Sequence, residues 1–196
     1  MAITKDREYR AFEFKAKEDE EMLVEGSPVV FEERTEMFEI DGNKYYEKVA
    51  RDAFLGALID DVVLNIDHMG KPAAKTKNGT LELEVREEDI YMKADLSKNA
   101  TGRELYEDIT NGFYDKMSFA FTIADEEYDK DTRTRTIKRI DRLYDVSAVT
   151  VPAYQQTTLN ARSFFTVEAE KELVEAREKE LKVAKLRLRM KLKGND

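Results

Sequence analysis

No cysteine occurs in the 196-residue chain, which excludes a disulfide framework, a thiol nucleophile, an iron–sulfur cluster and every thiolate zinc site. Histidine occurs once. Any site built on two or more imidazoles from one chain is thereby removed, the common catalytic zinc sets among them. Carboxylate-only sites for Mg²⁺ or Ca²⁺ stay open. Net positive charge is missing too. The 33 basic and 42 acidic residues leave a formal charge of −9, which argues against a general nucleic-acid binder, because neutralising phosphate needs a basic surface. No apolar run approaches the ~18–20 residues of a membrane span, and the N-terminal MAITKDREYR lacks the apolar stretch of a signal peptide. The expectation is a cytosolic protein that contacts neither membrane nor nucleic acid. There is also no G-x-S-x-G elbow, no P-loop and no dinucleotide fingerprint.

The chain does have a high charge content, 38% against the usual ~25%, on a length suited to one domain with appendages. From Tyr9 to Val151 it reads as short strands with turns. YRAFEFKA (9–16) alternates as one strand. MLVEG-SPVVF reads as a second, broken near Gly26 and Pro28. FEIDGNKYYEKV reads as a hairpin turning on Asp41-Gly42-Asn43, and RDAFLGALI as a short helix. VVLNI (62–66) ends beside the only histidine, His68. TLELEV and IYMKADL pair through Arg86-Glu87-Glu88-Asp89, and TGRELYEDITNG is a helix starting near Asn99 or Thr101 and stopping at Gly112. YDKMSFAFTIAD, TRTIKRID and LYDVSAVTV complete the strand-rich part.

After Pro152 the composition changes. Residues 163–196 hold neither Gly nor Pro until Gly194 and predict one long helix. Its acidic half (Glu168 to Glu180) precedes a basic half (Lys182 to Lys193), an order that suits the helix dipole. Val174, Leu181 and Leu188 recur every seven residues, leaving open a solvated helix with one apolar stripe or a partner-binding helix.

Three residues stand out chemically. In the strand around 116–124, Met117, Phe119, Phe121 and Ile123 share one face and must be core. Ser118 lies on the opposite, small-residue face, where a ligand or extended peptide can approach closely. A strand serine is either structural or a weak nucleophile needing a base, and with one imidazole in the chain that base would have to be His68. Otherwise His68 is a surface histidine. Asp145 interrupts the apolar LYDVSAVTV, where a buried carboxylate needs a partner: an imidazole, a backbone amide, or Arg139 or Arg142. Asp60, Asp61 and Asp67 leave open a divalent-cation site and hence a metal-dependent hydrolase.

The order of these pieces resembles the prohead maturation proteases of tailed bacteriophages, serine peptidases related in fold to the herpesvirus assemblins. The resemblance covers about residues 7–162. It runs through the YRAF strand, EGSPVVF, YEKVARDAF, the histidine segment VVLNIDHMGKPAAKTKNGTLELE, the nucleophile-like strand GFYDKMSFAF and the segment LYDVSAVTVPAYQQT. It implies an α+β, mostly β fold: an assemblin-like curved antiparallel β-barrel with short flanking helices, comprising a protease domain over 1–162 and a helical tail over 163–196. It implies Ser118 as nucleophile, His68 as general base and then acid, and Asp145 as the group that orients the imidazolium, with Asp67 as the alternative third member. Assemblins use a second histidine in that role, which this chain lacks. Asp52 and Ala120 stand where the family often has glycine. No cofactor is implied. The implied protein substrates are scaffold or the scaffold segment of the major capsid protein, and the protease itself, inside an assembling procapsid in the host cytoplasm; self-association is open. The opposing expectation is a noncatalytic assembly factor that binds scaffold through the C-terminal helix.

Overall fold

The structure is a computed structural model and describes residues 7–13, 15–16, 22–150 and 158–193. It falls into two compact units, Met1–Asn160 and Ala161–Asp196. The first is built on two sheets. The larger has seven strands and is centred on a long hairpin of β10 (Lys116–Asp129) and β11 (Thr134–Val149). β1 (Glu8–Glu13) pairs antiparallel with β10. On its other side β11 takes two parallel neighbours along its length, β5 (Asn43–Val49) at its start and β6 (Val63–Ile66) near its end. β4 (Thr35–Ile40) extends the sheet beyond β5, and β7 (Met69–Lys75) beyond β6. The second sheet is antiparallel, in the order β2 (Lys15–Ala16), β3 (Leu23–Val30), β9 (Asp89–Asp95) and β8 (Leu81–Val85).

The fold is therefore mostly-β α+β, as expected, with two corrections. Among the described residues the ladders do not close into a barrel, and the pairings of β11 with β5 and β6 are parallel. One core joins the two sheets. Met117, Phe119 and Phe121 of β10 and Val146 and Ala148 of β11 belong to the same buried cluster as Val24, Met92 and Leu105.

Several local expectations hold for identifiable reasons. Asp41 and Gly42 take positive φ (51° and 77°), the two left-handed positions that a two-residue hairpin turn requires. α1 (Ala100–Thr110) is capped by Asn99, whose side chain accepts from the Gly102 N–H at 2.8 Å, and it ends before Gly112 at φ 78°. Others are corrected. YRAFEFKA is not one strand: β1 and β2 lie in different sheets, and Phe14 between them is outside the described residues. The strand expected through MLVEG-SPVVF, by contrast, is present as β3, and the break expected near Gly26 and Pro28 is its register shift between Gly26 and Val29. RDAFLGALI forms no helix. Its amides make successive four-residue turns (Ala53 to Ala50, Leu55 to Asp52, Ala57 to Phe54) and Gly56 is left-handed at φ 83°, so Ala53 and Phe54 reach the core without a helical turn being repeated.

The C-terminal helix α2 (Thr158–Lys193) starts five residues earlier than the composition change suggested. At 36 residues it is about 54 Å long. Val174 and Leu181 are exposed on it. No described helix is long and apolar enough to cross a membrane.

Candidate active site

The register across β1, β10, β11 and β6 brings distant residues to one face of the large sheet. Ser118 lies opposite Ala11 on one side and Ser147 on the other, and Ala120 lies opposite Tyr9 and Asp145. Ser147 in turn faces Asn65 on β6. Directly paired residues point to the same side of a sheet. Tyr9, Ser118, Asp145, Ser147 and Asn65 therefore share a face, opposite the Phe119 core face.

His68 reaches this face from the turn that follows β6. Asp67 and His68 form a two-residue hairpin loop between β6 and β7, with Ile66 paired to Met69, and both take positive φ (47° and 59°). Such loops are ordinarily built from Asn and Gly. A non-glycine residue held there costs about 1–3 kcal/mol and persists only where neighbouring contacts over-determine it. Those contacts come from β11: the Asp67 N–H donates to the Ala148 carbonyl at 2.9 Å, and the His68 N–H donates to Ser147 Oγ at 3.2 Å.

The imidazole is held on two sides. Nδ1 and Asp145 Oδ1 are 2.5 Å apart, and the Tyr9 ring meets the imidazole edge-on with centroids 4.7 Å apart. Burial, and secondarily the Asp145 charge, push the Tyr9 phenol above its ordinary pKa. The partners of Asp145 are His68 and Ser147, whose hydroxyl donates to Oδ1 at 3.0 Å. Neither arginine suggested from sequence holds it; Arg142 lies over the Tyr144 ring instead. Asp67, the alternative third member, is exposed, and Nδ1 is directed to Asp145.

Ser118 is fully buried, as are Ala120 and Ser147. Ser118 Oγ, His68 Nε2 and Asn65 Oδ1 are buried without a hydrogen-bond partner. Buried polar atoms are nearly always paired, and three unpaired ones on one region of a sheet mark it out. Asp61, from the candidate cation site, is paired with Lys75 at 2.8 Å, and no group of three metal-ligating side chains occurs among the described residues. Sequence reading missed Ser147, Tyr9 and Asn65. A usable signal for Ser147 was its two-residue spacing from Asp145, which puts both polar groups on one side of an otherwise apolar strand.

A serine, an imidazole and a carboxylate gathered on a mostly-β framework are the ingredients of a serine hydrolase. The model of the Caudovirus prohead serine protease family matches residues 10–172, and the chain belongs to that family. It is a serine protease of the phage prohead, acting in capsid assembly and maturation. No curated protein matches it by sequence. Among solved structures it is similar to the bacteriophage T4 capsid assembly protease, gp21, with 12% identity, a TM-score of 0.48, and coverage of 75% of this chain and 98% of that one. The final part of the motif LYDVSAVTVPAYQQT, residues 151–157, lies outside the described residues.

Proposed function

We propose that Ser118 is the nucleophile of this serine protease, His68 its general base and then acid, and Asp145 the carboxylate that orients the imidazole. The observation that carries the reading is the His68 Nδ1 to Asp145 Oδ1 contact at 2.5 Å, with Nε2 left without a partner. With Nδ1–H committed to Asp145, Nε2 is the basic nitrogen. It takes the Ser118 proton as Oγ attacks a peptide carbonyl, and passes that proton to the leaving amine as the tetrahedral intermediate collapses. Water, deprotonated by the same nitrogen, then releases the acyl group. Ser118 Oγ and His68 Nε2 do not hydrogen-bond to each other in this structure, and such bonds often tighten only once substrate is bound.

In this reading residues 1–162 form the protease domain, with an assemblin-like framework, and 163–196 a helical tail that docks or packages the enzyme and is removed by self-cleavage. The substrates are scaffold or the scaffold segment of the major capsid protein, and the enzyme itself, inside the procapsid. The test is co-expression of the chain, or its Ser118→Ala form, with its cognate capsid and scaffold proteins, followed by intact-mass spectrometry. Cleavage only with Ser118 intact supports the assignment, and identical cleavage in both discards the nucleophile. Only full-length chain in mature particles would sink removal of the tail.

A further inference from the structure

The Ser147 hydroxyl has two partners, and both belong to the His68–Asp145 pair. It accepts from the backbone N–H of His68 at 3.2 Å and donates to Asp145 Oδ1 at 3.0 Å, the same oxygen that meets His68 Nδ1. The result is a closed ring running from the His68 backbone through Ser147 Oγ and Asp145 Oδ1 to the His68 imidazole. We infer that Ser147 is a positioning residue that fixes the His68 turn and ring against β11; the inference rests on the catalytic assignment proposed above.

The physical need for such a residue follows from where His68 sits. Its backbone is left-handed without glycine's freedom, and Asp67 before it is left-handed as well. Left to itself the turn would relax and carry the imidazole with it. A hydroxyl both donates and accepts, so one side chain fixes the main chain through its lone pair and the carboxylate through its proton. Ser147 is fully buried, so water does not compete for either bond. The strand also sets its place, since residues two apart on β11 face the same side and the parallel pairing sets Ser147 beside Asn65, three residues before His68.

The chain has one histidine, so every imidazole NMR signal belongs to His68. With ¹⁵N-labelled histidine, the wild type in mildly alkaline buffer should show a low-field proton on Nδ1 and a slowly exchanging His68 backbone amide. A rapidly exchanging amide in the unaltered protein overturns the inference whether or not any variant folds. In Ser147→Ala the Nδ1 proton signal should be lost to exchange. The limiting rate of labelling by a fluorophosphonate, in which Ser118 Oγ displaces fluoride from phosphorus and Nε2 takes the proton, should fall about 10- to 100-fold, with the half-saturating probe concentration unchanged. Ser147→Thr, which keeps the hydroxyl, should restore both readouts. An unchanged Nδ1 signal and labelling rate in Ser147→Ala overturn the inference. Undiminished labelling in Ser118→Ala removes instead the catalytic assignment beneath it, and the ring and amide signals still decide the hydrogen bonds of Ser147.

Discussion

The large sheet carries a buried polar cluster on each of its faces, built largely on the same strands. On the core face, at the far end of the long hairpin, Glu8 and Arg10 of β1, Glu47 of β5, Glu126 of β10 and Arg135 of β11 form a closed ion network. Arg135 reaches both Glu8 oxygens at 2.7 and 2.9 Å, and Arg10 contacts Glu8 at 2.7 Å and Glu47 at 2.5 Å. On the opposite face lie Ser118, His68, Asp145 and Ser147. Burial does not separate the two: Arg135 is 3% exposed and Glu47 4%, against 0% for Ser118 and 6% for Asp145. Pairing does. Every carboxylate in the first cluster has a guanidinium partner, whereas the second keeps Ser118 Oγ and His68 Nε2 unpaired. Saturated buried charge holds strands together. Unsatisfied buried polar atoms forgo that gain and remain available to a reacting group.

The comparison can be broken most severely at Ser118. Ser118→Ala should reduce cleavage of the cognate capsid proteins about a millionfold while leaving the thermal unfolding midpoint nearly unchanged, checked by intact mass and calorimetry. Asp145→Asn should cost about ten thousandfold in turnover, because the amide presents the wrong hydrogen-bond pattern to Nδ1, again in a folded protein. Arg135→Met should do the opposite. Breaking a buried ion network by removing one partner destabilises by about 3–5 kcal/mol in denaturant titration, and the fraction that stays folded should cleave normally.

The smallest effect concerns acid. Burial pushes the Glu8 carboxyl up, but the charges and hydrogen bonds of Arg10 and Arg135 outweigh it and hold its pKa below the ordinary 4.5. A carboxylate with a depressed folded-state pKa contributes stability that is complete above its unfolded value and lost as pH falls through the folded one. Stability should therefore decline below about pH 4.5 in the wild type, and Glu8→Gln should flatten that decline in urea titrations across the window.

Elements determined by neighbours in the chain were legible. The Asp41-Gly42 turn, the β8–β9 pair, the Asn99 cap and the long glycine-free helix each depend on a few consecutive residues. Ser118, His68 and Asp145 were picked out by residue type, strand parity and family motif. What escaped depended on pairing across the chain. The turn at Asp67-His68 has no glycine, so it lacks the usual signal, and it is held by a strand about 80 residues later. The ion network joins Glu8 to Arg135, 127 positions apart.

The sequence by itself determined which groups are available: one imidazole, no thiol, a serine on the small-residue side of its strand, an aspartate inside an apolar one, and a charge-divided terminal helix. Alternation and turn chemistry are short-range, so a single strand carries them unaided. Only the tertiary structure decided that β6 lies parallel beside β11, that Asp145 takes His68 rather than an arginine, and that Ser147 ties the two together. Those choices are set by the register of strands distant in sequence, where a shift of one residue turns every side chain to the other face.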